Sequence, residues 1–327
     1  MLADTHMRQR MNLIRALLAH RLAPVALAAA IALLLPLAFP SAYYFRVGAL
    51  VFIFALAVVG LNLLMGFAGQ VSLGHAGFVG IGAYAVAIGP AHLGVPSWLS
   101  VIAGAALAGV VAYLVGKPIL RLKGHYLAVA TLGFGLLVAI VLTNEADWTG
   151  GPDGMSVARL RMFGQAVYGS QTWYWIAAAT FGIGAALALN LRESPSGRAL
   201  QAIHDSETAA RTLGVDVARA KLTVFVISAV YASVAGSYLG LLNGHITPDL
   251  AGFLRSIELV AMVVLGGMGS IFGSLVGAAV LVVLPQTLTA IHEYEHMALG
   301  LIVMGCMIFL RQGIVPALTA AMAGRLK

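Results

Sequence analysis

Charged residues are scarce in this chain of 327 residues: Asp, Glu, Lys and Arg make up 9%, against 61% hydrophobic residues. Soluble domains carry roughly 25% charged residues, so the composition excludes a water-exposed globular protein. A helix crosses the hydrocarbon core of a bilayer with about 20 apolar residues, and several runs reach that length. The sequence therefore predicts an all-α polytopic membrane protein.

Cysteine is almost absent too: Cys306 is the single one and lies in an apolar run, which excludes a disulfide framework. The nucleotide-binding pattern Gly-x-x-x-x-Gly-Lys-Ser/Thr is missing as well. The nearest candidate, Gly116-Lys117-Pro118, lacks the hydroxyl residue and the upstream glycine that hold a phosphate. We therefore expect no ATP binding through such a loop in this chain, and no cofactor.

Acidic residues are nearly missing from the apolar runs, where only Glu258 lies at the edge of one. Ion-coupled carriers place acidic or histidine relays within the membrane. A proton-coupled carrier or a self-sufficient channel is thus a disfavoured alternative, and His75 is the residue that keeps it open.

Ten apolar runs are candidate spans. Pro36 and Pro40 interrupt the end of the first run and no suitable cleavage site follows, so we interpret it as a retained span rather than a signal peptide. The expected organisation is an N-terminal segment 1–22, a transmembrane domain 23–310 and a C-terminal tail 311–327. The spans lie at about 23–39, 47–66, 72–90, 98–116, 124–142, 173–191, 222–242, 257–271, 274–290 and 298–310.

Basic residues are distributed unequally between the two sides that these spans define. Of the 19 Lys and Arg residues, 15 lie on one side, which contains both termini and the loop 192–221. Cytoplasmic loops carry the excess of Lys and Arg, so both termini are predicted to be cytoplasmic. Because the charge sorts by membrane side, the expected partner is membrane lipid and not nucleic acid.

Residues 60–78 differ from an ordinary span, because they contain five glycines and several polar residues between apolar flanks. Each glycine weakens a helix by about 0.8–1 kcal/mol, which predicts a broken or re-entrant helix. Irregular backbone at membrane depth is tolerated where it is buried in protein or lines a wet cavity. The candidate pathway-lining residues are Asn62, Gly69, Gln70, Ser72, Gly74 and His75. The alternative, strongest for His75, is that these groups bond to neighbouring helices.

A second glycine-broken segment occurs at 265–274. Three glycines in each segment are related by a constant offset of 200 residues (66, 69, 77 and 266, 269, 277). Interrupted segments in corresponding halves indicate the central site of a transporter, although coincidence is the open alternative in a chain with 38 glycines.

The pentapeptide His292-Glu-Tyr-Glu-His296 matches the zinc-binding pattern His-Glu-x-x-His. A catalytic zinc site needs a third ligand and an open coordination position, and the sequence neighbours offer no third ligand. A membrane-embedded metalloenzyme stays open as an alternative, but an aromatic and histidine belt at the membrane interface is favoured, and no metal is predicted.

The loop 192–221 is the longest well-charged segment, with five of the 19 basic and four of the 12 acidic residues. Ser196 is predicted to cap a helix over 197–202, and Ser206 one over 207–213. Gly214 suits the left-handed position that follows a helix, and Asp216 can cap the next span. Two short charged helices of this kind form a contact surface.

Four stretches carry a family likeness: GLNLLMGFAGQVSLGHAGFVGIGAY (60–84), GHYLAVATLGFG (124–135), TGGPDGM (149–155) and GRALQAIHDSETAARTLG (197–214). In this order they resemble branched-chain amino acid ABC-transporter permeases of the LivM type, over about residues 45–315. The resemblance implies a non-enzymatic permease with type II-like ABC importer architecture that forms half of a pathway for Leu, Ile and Val. It also implies three kinds of partner: a second, LivH-type permease, two cytoplasmic ATP-binding subunits and a periplasmic solute-binding protein.

The resemblance further implies that residues 197–214 dock on the ATP-binding subunit and that no residue is catalytic. The candidate coupling residues are Ser196, Gly197, Arg198, Asp205, Glu207, Arg211 and Gly214. His204 departs from the pattern, where arginine is expected. Related permeases for urea, short amides or other small polar solutes share much of this architecture and are the main alternative.

Overall fold

A computed structural model describes residues 32–162, 165–287, 300, 304–305 and 313–324. The long helices are α1 (Ala42–Asn62, continued by a π-helical turn, Leu63–Phe67), α2 (His75–His92), α3 (Ser97–Ile119), α4 (His125–Asn144) and α5 (Ser170–Glu193). After them come α6 (Pro195–Asp205), α7 (Glu207–Thr212), α8 (Val217–Asn243), α9 (Phe253–Gly266), α10 (Ile271–Thr287) and α11 (Ile314–Gly324).

Short elements occupy the connections. One helical turn, Ala146–Thr149, and the 3₁₀ segments Leu35–Ala38, Gly151–Asp153 and Pro248–Ala251 accompany four two-residue strands. Strand β1 (Met155–Ser156) pairs antiparallel with β4 (His245–Ile246), and β2 (Arg161–Met162) pairs with β3 (Gln165–Ala166). The first pair joins the α4–α5 connection to the α8–α9 connection at one end of the bundle.

Helices α1, α2 and α8 form the centre of the bundle, and glycine lets two of them approach closely. A Cβ added at Gly82 would lie 1.9 Å from the Ser233 carbonyl oxygen, and one at Gly236 would lie 1.9 Å from that of Val79. In lipid, close packing of this kind holds helices together in place of the hydrophobic effect. The central helices are therefore held by backbone proximity that larger side chains would prevent.

The outer helices present apolar surface. Most of α1 is buried inside the chain, whereas little of α4 is buried, and Val129, Leu137 and Val141 on it are exposed. Apolar exposure on a long apolar helix fits contact with lipid or with another membrane subunit.

Five helical stretches of the described residues are long and apolar enough to cross a membrane: Ala42–Phe67, Ser97–Ile119, His125–Asn144, Ser170–Glu193 and Val217–Asn243. This confirms a multi-pass helical membrane protein. Helix α9 has 14 residues, or about 21 Å at 1.5 Å per residue, which is short of the roughly 30 Å hydrocarbon core. The count of ten stays a prediction, since the expected first span before residue 32 and most of the tenth lie outside the described residues.

The predicted break after residue 60 is confirmed. The helix ends after the π-helical turn, residues 69–74 are irregular, and Gly69 has a φ of 64°. The second break lies between α9 and α10, where Gly267 and Gly269 have φ values of 111° and 78°. Other residues rarely adopt this left-handed backbone, so glycine is required at both breaks.

Reporter fusions test the threading that the basic residues predict. A reporter fused after Lys123, Ala218 or Lys327 should be cytoplasmic, and one inserted within 143–172 should be external, because Lys and Arg are retained on the cytoplasmic side. Activity of a cytoplasm-specific reporter within 143–172 would contradict this orientation.

Candidate functional site

Asn62 connects the two breaks. Its side chain is fully buried, and Nδ2 donates to the Ser270 carbonyl oxygen at 2.9 Å and to Ser274 Oγ at 2.9 Å. Oδ1 accepts from the Gly269 backbone N–H at 2.8 Å. One amide on α1 thus satisfies both a donor and an acceptor of the second break.

The two breaks also meet backbone to backbone. A Cβ added at Gly66 would lie 2.2 Å from the Gly269 nitrogen, which leaves no room for a side chain. The offset of 200 residues does not extend to equivalent packing, because Gly77 packs on Gly135 while Gly277 packs on the Met262 carbonyl oxygen. The glycine pattern therefore identified two segments that touch, but not a repeated environment.

His75 is a buried, fully bonded residue at the start of α2. Its ring nitrogens bond to Ser72 Oγ, at 3.3 Å, and to Ser228 Oγ on α8. Ser72, His75 and Ser228 are all almost completely buried. This arrangement matches the alternative interpretation, in which His75 bonds to a neighbouring helix.

The segment before α2 and the first turn of α2 are fixed on two further sides. The Leu73 N–H donates to Thr131 Oγ1 on α4 at 3.1 Å, and the Ala76 N–H donates to Ser256 Oγ on α9 at 3.1 Å. Gly74 is buried against α4, and a Cβ there would lie 1.8 Å from the Thr131 carbonyl oxygen. The break is thus held by side-chain hydroxyls from three helices.

Of the predicted pathway residues, only Gly69 is exposed. Gln70 is 7% exposed, and its Nε2 donates to the nearby Ala68 carbonyl oxygen at 2.8 Å. Val71, next to it, is exposed. The open side of the break is therefore the stretch from Gly69 to Val71, while Asn62, Ser72, Gly74 and His75 face the interior of this chain.

Substituting Gly74 tests how tightly the break is held. Gly74→Ala should lower the unfolding temperature and the transport rate strongly, because its Cβ requires the Thr131 backbone to move. Gly133→Ala, on the same neighbouring helix, is the matched control, since a Cβ there meets nothing within 4 Å. Thermal unfolding of the purified variants measures the difference, and equal stability of the two would contradict the close contact. The obstacle to a side chain at Gly74 is therefore the backbone of α4.

The charged loop 192–221 folds into α6 and α7, as the helix–turn–helix pattern predicts. Ser194 caps α6, where its Oγ accepts from the Gly197 N–H at 3.1 Å. The prediction that Ser196 is this cap is wrong, because Pro195 occupies the first helical position and Ser196 follows it inside the helix. Proline is favoured at that first position.

The other local predictions for the loop hold. Ser206 Oγ accepts from the Ala209 N–H at 3.2 Å and caps α7, and Asp216 Oδ1 accepts from the Arg219 N–H at 3.0 Å and caps α8. Gly214 has a φ of 84°. A small apolar cluster of Ile203, Ala210 and Val217 packs α6, α7 and the start of α8 together.

Lys221 is a site residue that the sequence interpretation missed. It is 3% exposed and forms an ion pair with Glu207, which is 26% exposed. Lys221 lies one turn into α8, 14 residues after Glu207. This separation is not the three- or four-residue spacing of an ion pair within one helix, so the sequence does not indicate the pair. The remaining candidate coupling residues Ser196, Arg198, Asp205, Arg211 and Gly214 are exposed, and Gly197 is buried.

The loop touches the first break directly. A Cβ added at Gly69 would lie 3.1 Å from His204 Nδ1 of α6. The guanidinium of Arg192, at the end of α5, lies over the Phe67 ring at 5.7 Å. The charged loop therefore contacts the first break at Gly69, and the first break contacts the second through Asn62.

No metal-binding group of three or more His, Cys, Asp or Glu residues occurs among the described residues. The pentapeptide with His292 and His296, for which no metal is predicted, lies outside them. Interrupted helices within a helical bundle are a feature of membrane transporters.

The chain belongs to the family described as branched-chain amino acid transport system / permease component, whose model matches residues 43–311. It is 34% identical to the high-affinity branched-chain amino acid transport system permease protein LivM of Escherichia coli K12, over 83% of this chain and 69% of that protein. The LivM protein of Salmonella typhimurium is also 34% identical, over 81% of this chain and 68% of its own.

A LivH permease of the same kind of system, from Salmonella typhimurium, is 30% identical over 70% of this chain and 79% of that protein. No solved structure matches the chain. The resemblance drawn from the four sequence stretches is thus confirmed at the level of the family.

Proposed function

We propose that this chain is a permease subunit of an ABC importer for branched-chain amino acids, and forms half of the translocation pathway. The family and the LivM relatives support the solute class. The observation that carries the mechanism is the chain of contacts from α6 to Gly69 and onward through Asn62 to the second break. A displacement of α6 would move the break without crossing any flexible linker.

The proposed complex contains a second, LivH-type permease, two cytoplasmic ATP-binding subunits and a periplasmic solute-binding protein. Similarity of this chain to both LivM and LivH proteins supports pairing of two related permeases. The proposal includes ten spans in a type II-like arrangement, with both termini cytoplasmic in a bacterial inner membrane. In the pathway, the exposed residues Gly69 and Val71 face the solute, while Asn62, Ser72, Gly74 and His75 hold the break in place.

The coupling surface in this proposal is the exposed face of α6 and α7. It carries Arg198, Asp205 and Arg211, and also Leu213, which is 80% exposed. An apolar side chain so exposed, beside charges, is typical of a contact that a partner covers. The surface would sit in a cleft of the ATP-binding subunit and pass its movements to the break.

Reconstitution tests this function. The full complex in proteoliposomes should take up leucine, isoleucine and valine with ATP inside, and Arg198→Glu should abolish solute-stimulated ATP hydrolysis. Arg198→Lys keeps the charge and is the matched control, and solute binding by the periplasmic protein should be unchanged in both. Uptake of urea or acetamide in place of the three amino acids would reject the solute class, and full stimulation in Arg198→Glu would reject the coupling surface.

A further inference from the structure

An open cavity of about 930 Å³ lies between the end of α3 and the start of α8, at the end of the bundle that carries α6 and α7. Small-molecule sites occupy roughly 300–1,000 Å³, so its size fits a ligand larger than an ion. Neither the breaks nor the exposed face of α6 contributes to it. It shares Arg211 of α7 with the coupling surface, but the permease mechanism above gives no role to Lys117, Arg121 and Lys123.

The rim of the cavity is strongly basic. Its lining includes six basic and two acidic residues. Five of the basic residues are exposed and form no ion pair within the described part of the chain: Lys117, Arg121, Lys123, Arg211 and Arg219. Both acidic groups are already engaged, since Glu207 pairs with Lys221 and Asp216 caps α8. The rim thus carries an uncompensated positive charge.

The wall of the cavity is apolar. Leu120, directly after α3, and Leu222, Val226 and Ile227 on α8 continue from the basic rim along the two spans. The neighbouring outer surface of α3 is apolar and exposed, as at Leu114. A cavity with a basic rim and an apolar wall matches a molecule that has an anionic headgroup and apolar chains.

We propose that this cavity binds an anionic phospholipid of the cytoplasmic leaflet. The phosphate is held by Lys117, Arg121 and Lys123, and an acyl chain lies against the α3 and α8 wall. Basic pockets between spans on the cytoplasmic side take anionic headgroups, and long basic side chains reach the headgroup level from a span end. A soluble subunit is less well matched, because the wall runs along transmembrane helices.

Lipid retention by the full chain in detergent, measured by native mass spectrometry, tests the site. Phosphatidylglycerol is the probe and phosphatidylcholine the neutral comparison. Each basic residue near an anionic headgroup strengthens binding about fivefold, so Lys117→Gln/Arg121→Gln/Lys123→Gln should weaken phosphatidylglycerol binding roughly a hundredfold. Phosphatidylcholine binding should not change.

Two variants control for fold and for general charge. Lys117→Arg/Lys123→Arg keeps the charge and should keep the lipid. Arg159→Gln/Arg161→Gln removes basic residues that line a cavity at the opposite end of the bundle, and should also retain phosphatidylglycerol.

Three results would overturn the proposal. Equal retention of phosphatidylglycerol by the triple variant and the unchanged chain would remove these residues from lipid binding. Inorganic phosphate bound as tightly as the lipid would assign the rim to a soluble anion. Loss of ATP-binding subunits from the triple variant, with lipid retention intact, would assign the cavity to a protein partner.

Discussion

Glu207→Lys should abolish solute-stimulated ATP hydrolysis by the reconstituted complex and lower the unfolding temperature of the chain. Lys221 is buried at 3% exposure, and its ion partner is Glu207. Breaking a buried pair by changing one partner costs about 3–5 kcal/mol, and the partial exposure of Glu207 places this one toward the lower value. The substitution also sets two positive charges together, which would push α7 away from α8.

A charge exchange and a matched pair identify the cause. Glu207→Lys/Lys221→Glu restores an ion pair in reverse and should recover a large part of both stability and stimulation. The pair Arg255–Glu258 is the control, since its side chains are 31% and 41% exposed and exposed pairs contribute about 0–1 kcal/mol. Glu258→Lys should therefore have little effect on stability. Wild-type stability and stimulation in Glu207→Lys would show that the pair positions nothing.

Asn62→Leu should abolish uptake with the largest loss of stability of any single change at the breaks. Leucine has a similar size but offers no polar group, so the Gly269 N–H loses its acceptor. The Ser270 carbonyl loses the bond from Asn62 but keeps the one from the Ser274 N–H at 3.1 Å. Each buried polar group left unsatisfied costs about 1–3 kcal/mol. Uptake by proteoliposomes and thermal unfolding measure the two effects.

Asn62→Asp separates the two halves of the bridge. It retains an acceptor for the Gly269 N–H but loses the donor to the Ser270 carbonyl and buries a charge, so uptake should also be lost. Ser237→Ala is the control: this buried hydroxyl on α8 donates to the Gly82 carbonyl oxygen at 2.9 Å and joins no break. Normal uptake in Asn62→Leu would mean that contact between the breaks is dispensable.

Local features of the fold could be predicted from the sequence because they depend on short-range chemistry. Glycine in an apolar run weakens a helix wherever it occurs, so both breaks were predictable. Side-chain caps follow from Ser206 and Asp216 in the same way. The error at Ser196 was avoidable, because Ser194-Pro195 already carries the stronger start signal.

The contacts between segments could not be predicted in this way. Nothing in the 200-residue offset says that Gly66 touches Gly269, or that His204 of the loop lies against Gly69. Such proximity depends on how helices distant in sequence pack, and a single sequence does not record it. The same limit explains Lys221, whose burial follows only from the packing of α7 on α8.

The apolar cluster of Ile203, Ala210 and Val217 has a practical consequence for chimeric permeases. Val217 belongs to the first turn of α8, so the structural unit that contains α6 and α7 extends beyond the end of α7 into α8. A chimera that exchanged α6 and α7 between two permeases and joined the chains at residue 214 would take α6 and α7 from one protein and residue 217 from the other. The two halves of the apolar cluster would then come from different proteins. A unit that can be exchanged therefore runs from Ser194 through Lys221. This segment includes the Ser194 cap, all three residues of the apolar cluster and Lys221, the partner of Glu207.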